Sequence, residues 1–98
     1  MKLSNLLANI EYTVINDGNP EITDIIYDSR KVTDGTAFVC LKGYTSDGHK
    51  YAQSAVEKGA AAIIISDDLS FDVPKNVAVI KVENTRKALA YISAEFFG

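Results

Sequence analysis

One cysteine and one histidine are all that the 98 residues offer of the two side chains most used for metal binding and nucleophilic chemistry. A single cysteine excludes a disulfide framework, and no Cys/His spacing fits a zinc site. Cys40 stands between Val39 and Leu41, in a β-type run, and reads as a small core hydrophobe. His49 alone cannot build a metal site, and no base–nucleophile pair accompanies it, so neither catalytic residues nor metal ligands are expected in this chain. Positive charge is also scarce. The net charge of −3 and pI of about 5.0 leave no basic field to attract nucleic acid. No apolar run approaches the ~20 residues that a membrane span needs. The start, Met1-Lys2-Leu3-Ser4-Asn5, leads into a short amphipathic stretch with no signal-peptide core. A soluble, cytoplasmic protein is the default expectation, with neither nucleic acid nor a membrane as partner. Repeats and low-complexity tracts are absent as well.

What is present fits one domain with a real core, since 47% of the residues are hydrophobic. Leu3, Leu6, Leu7 and Ile10 fall at helical spacing. Asp17-Gly18-Asn19-Pro20 is turn chemistry. Residues 22–29 are β-type, and strict alternation puts Ile22, Asp24 and Ile26 on one face and Thr23, Ile25 and Tyr27 on the other. Thr33-Asp34-Gly35 is a turn before the run from Thr36 to Leu41, which is apolar at almost every position and so is expected to be buried on both faces. A helix from about Gly48 to Lys58 is capped by Asp47 and stopped by Gly59. Strands follow at 60–65 and 77–82, separated by a polar loop, and Asn84 caps a last helix with Ala88, Leu89, Ile92 and Phe96 as its apolar stripe. The alternation predicts an α/β fold, a small layered domain whose largely parallel or mixed sheet is flanked by helices.

Two polar clusters stand at strand ends, where α/β sheets bind ligands. One is Asp28-Ser29-Arg30-Lys31 and the other is Gly43-Tyr44-Thr45-Ser46-Asp47-Gly48-His49. Residues 28–50 carry a net +1, against −4 for the remainder, which favours an anionic ligand there. Glycines allow close backbone approach and a helix start presents unpaired N–H groups. Asp47, however, occupies the place an anion would want. The functional reading therefore rests on the first half of the loop, the backbone and hydroxyls of Tyr44, Thr45 and Ser46. A plainly structural reading stands beside it, because every α/β domain needs such turns. Ser29 closes a turn on that reading, Arg30 pairs with Asp28 or Asp34, and His49 bonds locally. Arg86 and Lys87, in the first turn of the last helix, suggest solvent exposure.

As a set, Asp28-Ser29-Arg30-Lys31-Val32, Gly35 to Gly43, Asp47-Gly48-His49 and Ala55 to Ala62 resemble the N-terminal domain of the Mur ligases, in order and in spacing. The resemblance runs from about Ile22 to Phe96. It implies that residues 1–98 form the UDP-binding domain of an ATP-dependent ligase of peptidoglycan precursor synthesis. Its substrate would be a UDP-N-acetylmuramoyl-peptide. Ser29 would contact the uracil side, Tyr27 would lie beside the base, and Tyr44, Thr45 and Ser46 would line the uridine and diphosphate. The wording of residues 43–49 and 84–90 resembles the member that adds the third peptide residue. The member that adds D-alanyl-D-alanine is the alternative, and a non-catalytic α/β interaction module is the reading without a nucleotide site. No G-x-x-x-x-G-K-[ST] loop is present. ATP and magnesium are therefore implied only for a full-length enzyme, with central and C-terminal domains beyond this chain. There the substrate carboxylate would become an acyl phosphate that an amino acid amine attacks. Nothing in these residues says which third amino acid is added.

Overall fold

A computed structural model describes all residues, Met1 to Gly98. Five strands form one sheet in the order β1-β5-β4-β3-β2. They are β1 (Thr13–Asn16), β2 (Ile25–Ile26), β3 (Ala37–Val39), β4 (Ala62–Ile65) and β5 (Ala78–Lys81). β2, β3, β4 and β5 run parallel, and β1 pairs antiparallel with β5 at the far edge. Helices α1 (Leu3–Leu6) and α3 (Thr85–Phe97) contribute to one layer and α2 (Ala52–Glu57) to the other.

β3 and β4 are apolar throughout, as strands covered on both faces are, and β5 is apolar up to Lys81. Ala37, Val39, Ala62, Ile64, Ala78 and Ile80 join Leu3, Leu6, Ala88 and Ile92 in one core cluster. The alternate residues Phe38, Cys40, Ile63, Ile65, Val77 and Val79 join Ala52 and Ala55 in the other. Leu69, Phe71 and Val73, from the polar connection after β4, pack against this second cluster. The period-2 geometry of a strand thus splits one apolar run between two cores.

The segment 22–29 departs from the predicted alternation. Only Ile25 and Ile26 pair with a neighbouring strand. Ile22 and Ile25 enter the same core cluster, while Ile26 packs on the other. The Asp24 carbonyl still accepts from the Ala37 N–H at 2.9 Å, and its side chain accepts from the Ile25 N–H at 2.8 Å, on the free edge of the strand. The first helix is also shorter than its apolar spacing suggested. Beyond Leu6 the chain continues in single turns, Ala8 N–H to Asn5 O and Ile10 N–H to Leu7 O, which still carry Leu7 into the core. Strand β1 has no sequence counterpart in the periodicity, for Thr13, Val14 and Ile15 are all exposed.

The second predicted helix starts as a 3₁₀ turn, Gly48–Tyr51, before α2 proper. It ends as expected. Gly59 has φ +101°, its N–H bonds Val56 O, and the Ala60 N–H reaches back to Ala55 O. That pair of bonds is a Schellman motif, which uses the left-handed region that glycine enters without strain. At α3, the Asn84 side chain accepts from the Lys87 N–H at 3.0 Å, the predicted cap.

Candidate functional site

Because β2 to β5 are parallel, their carboxyl ends open on one edge of the sheet. Each delivers a polar segment there. The chain leaves β2 through Tyr27 into a 3₁₀ turn, Ser29–Lys31, whose cap is Asp28. Asp28 accepts from the Arg30 backbone N–H and from Arg30 Nε, both at 3.0 Å, and from Nη2 at 2.8 Å. The guanidinium beside it, then the backbone bond, hold the Asp28 carboxyl down at about 2. Arg30 is therefore already paired, as the structural reading had it, in a surface bridge of small energetic weight. Lys58 Nζ donates to Ser29 O at 3.0 Å, which ties this turn to the end of α2.

After β3 the chain makes a tight reversal. Lys42 and Asp47 pair across it, the Gly43 N–H bonds Ser46 O at 2.7 Å, and the Gly48 N–H bonds Leu41 O at 2.7 Å. Gly48 is the position that needs a glycine. A Cβ there would lie 2.7 Å from Leu41 N and 3.0 Å from Cys40 Cα. Gly43 has only Ser46 O near it, at 3.4 Å.

Asp47 caps the following turn as predicted, accepting from the His49 N–H at 3.0 Å. The same oxygen lies 2.6 Å from His49 Nδ1. On the far side of the ring, Nε2 accepts the backbone N–H of Ser66 at 3.0 Å and of Asp67 at 3.1 Å. An accepting Nε2 is unprotonated, so the proton sits on Nδ1 and is donated to Asp47. Burial pushes the Asp47 carboxyl up, but the His49 backbone and ring bonds and the nearby Lys42 charge outweigh it, and the net direction is down. Lys42 pairs with the Asp67 carboxylate, and its carbonyl accepts from Arg86 Nη2 at 3.2 Å. Arg86 is exposed as expected, yet it also fastens α3 to the end of β3.

Sequence reasoning had given His49 only a local bond. The Asp-x-His spacing that returns the ring to its own cap was legible, whereas the reach to Ser66 and Asp67 depends on β3 and β4 lying side by side. Of the residues singled out, Tyr27 and Ser29 stand at the end of β2, and Tyr44, Thr45 and Ser46 at the end of its neighbour β3. Ser29 is half-buried and the other four are exposed, Tyr44 completely. The two groups stand at the carboxyl ends of neighbouring strands. One depression, of about 470 Å³, lies between residues 9–11, residues 82–84 and α3, and a second, of about 280 Å³, lies between β1 and the 68–73 segment.

Ligand atoms of Asp47, His49 and Asp67 come within 4.8 Å of one another. The cluster does not fit a resident magnesium ion. Both ring nitrogens are engaged, Lys42 already neutralises Asp67, and magnesium prefers oxygen ligands with several waters. Cys40 is fully buried, and desolvation, with the Asp47 charge second, pushes its thiol up to about 12. That environment makes a poor nucleophile. No helix is long and apolar enough to cross a membrane.

Comparison with known proteins gives this edge a context. Residues 21–97 match the family described as "Mur ligase family, catalytic domain". The UDP-N-acetylmuramoyl-L-alanyl-D-glutamate--2,6-diaminopimelate ligase of Clostridium botulinum is 44% identical over 99 residues, which cover 100% of this chain and 20% of that protein. The ligase of the same name from Bacillus licheniformis is 47% identical over 100 residues, again 100% of this chain and 20% of that protein. Among solved structures, MurF from Acinetobacter baumannii superposes with a TM-score of 0.78 at 28% identity, covering 94% of this chain and 20% of that one. MurF from Thermotoga maritima, solved in complex with ADP, gives 0.60 at 30% identity, over 74% of this chain and 16% of that one. The chain thus spans about a fifth of the length of the curated relatives it matches. With the match covering residues 21–97, it belongs to the Mur ligase family.

Proposed function

We propose that this chain holds the UDP end of a UDP-N-acetylmuramoyl-dipeptide for a ligase that adds the third peptide residue. In this reading residues 1–98 are the N-terminal domain. ATP, magnesium and the incoming amino acid belong to central and C-terminal domains beyond them. The observation that supports the proposal is that the segments holding Tyr27 and Ser29 and holding Tyr44, Thr45 and Ser46 follow the carboxyl ends of the adjacent parallel strands β2 and β3. Ligands of α/β sheets bind beyond such ends. Ser29 contacts the uracil side, the exposed Tyr27 ring lies beside the base, and Tyr44, Thr45 and Ser46 line the uridine and diphosphate. Binding remote from the reacting carboxylate helps position that carboxylate in the whole enzyme. Relatives named for adding 2,6-diaminopimelate are 44% and 47% identical to this chain, against 28% for MurF of A. baumannii. The third-residue reading is favoured over D-alanyl-D-alanine addition on that ground.

The test is a backbone-amide NMR titration with UDP-N-acetylmuramic acid, with ATP as control. Shifts centred on residues 27–31 and 43–47 for the UDP-sugar alone support the proposal. An open edge predicts weak affinity. Replacing Ser29 and Thr45 together by alanine is expected to abolish these shifts. Equal binding by that double variant discards the site assignment.

A further inference from the structure

His49 has no place in the ligand contacts proposed above, yet its side chain is 8% exposed and bonded on both sides. We propose that His49 is the positioning residue of this edge: its neutral ring, held by Asp47, latches the end of β4 to the Lys42–Asp47 reversal, and a second ring proton releases the latch. That the reversal is ligand-binding rests on the proposed function; the latch itself rests on geometry.

The Ser66 and Asp67 N–H groups both point at Nε2, at 3.0 and 3.1 Å. A neutral imidazole accepts there, and an imidazolium presents a donor to two donors. Protonation leaves both amides without their acceptor. The groups at the ring are Asp47 on its own turn and Asp67 and the Ser66 N–H after β4; Lys42 pairs with Asp67, the buried Cys40 thiol feels the Asp47 charge, and the exposed Lys50 is next in sequence. Of these, Asp67 can accept the new Nε2–H, since its carboxylate oxygen lies within 4.8 Å of a ring nitrogen. Doing so draws it away from Lys42, whose carbonyl anchors Arg86. One proton therefore perturbs the ends of β3 and β4 and the start of α3 together, and the Tyr44-Thr45-Ser46 turn hangs from the first of these.

The test follows the Ser66 and Asp67 amides and the His49 ring nitrogens of the ¹⁵N-labelled chain from about pH 8 to about pH 5. Both amides are expected to shift and lose exchange protection with the midpoint of the ring. In His49→Gln, the amide oxygen replaces Nε2 as acceptor and does not titrate, so both amides should hold across the range. UDP-N-acetylmuramic acid is titrated in parallel, because its diphosphate diester does not change charge in this window. Wild-type affinity is expected to fall about tenfold through the His49 midpoint, the loss of one or two ordinary hydrogen bonds, and the Gln variant should show no such fall. Amides that ignore the ring titration overturn the latch, as does an equal pH dependence in His49→Gln. A chain whose amides follow the ring but which binds no UDP-sugar at any pH supports the latch and overturns the proposed function.

Discussion

Gly48 and Leu41 touch backbone to backbone: the Gly48 N–H bonds Leu41 O at 2.7 Å, and the space where a Cβ would sit lies 2.7 Å from Leu41 N. Neither neighbour is a flexible side-chain tip that can swing aside. Gly48→Ala is therefore expected to destabilise the fold by about 1–3 kcal/mol, the usual range for overpacking. Urea unfolding measures it, and a wild-type midpoint would show that the reversal opens without cost.

Cys40 gives a second prediction. Its side chain is fully buried and its thiol is pushed up to about 12. A disulfide reagent at mildly alkaline pH is expected to leave the folded chain unmodified and to label it stoichiometrically in denaturant. Rapid labelling of the native protein would mean that the β3 end opens far more readily than its packing implies.

Acid should weaken the fold. Asp28 is held at about 2, below its ordinary 3.8, chiefly by the Arg30 guanidinium. The N-terminal ammonium lowers Glu21, and Asp47 is also lowered, its bonds from His49 outweighing the opposing effect of burial. Carboxyls that release their protons more easily when folded make the unfolded form the stronger proton binder in this window. Their contribution is complete above the unfolded values, about pH 4–5, and fades as pH falls through the folded ones. Carboxyl ¹³C NMR should give an Asp28 midpoint of about 2. A midpoint at 3.8 would mean that the Arg30 bond does not persist in solution.

Asn84 closes the amino end of α3 with one side-chain bond to Lys87 N–H. Asn84→Ala is expected to cost about 1 kcal/mol, and Asn84→Asp to cost little. Thermal unfolding of the two variants separates them. Equal melting temperatures for Ala and wild type would show that packing by Ala88 and Ile92 alone sets the stability of this helix.

The central sheet and α3 were legible because local pattern and tertiary demand agree there. Thr36 to Leu41 and Ala60 to Ile65 are apolar at nearly every position, and both faces of β3 and β4 are covered. Asp47, Gly59 and Asn84 marked element ends through chemistry contained within a few residues. β1 was illegible for the opposite reason. Its residues are exposed, and what makes them a strand is pairing with β5, far away in sequence. Asn16 reinforces that pairing by donating to the Val73, Pro74 and Val77 carbonyls. The facing of Ile22 and Ile26 failed because only Ile25 and Ile26 are strand-paired with β3, so strict alternation does not extend back to Ile22. At the candidate edge, the residue types at 27–31 and 43–49 were readable. The reach of His49 to Ser66 and Asp67 was not, since it requires knowing which strands are neighbours.

The antiparallel edge strand has a consequence for the order of assembly. Thr13 and Val14 sit opposite Lys81 and Ile80, whereas β2, β3 and β4 each pair with the strand next in sequence. As the chain leaves the ribosome, β2 to β5 can zip together in the order of their synthesis. The earlier Thr13-Val14-Ile15 segment must wait until residue 81 has emerged. Of these five strands, β1 is made before the others yet is seated only after the largest loop closure in the sheet. Until then its β-branched residues remain an unpaired edge, the part of the nascent domain most open to a wrong partner.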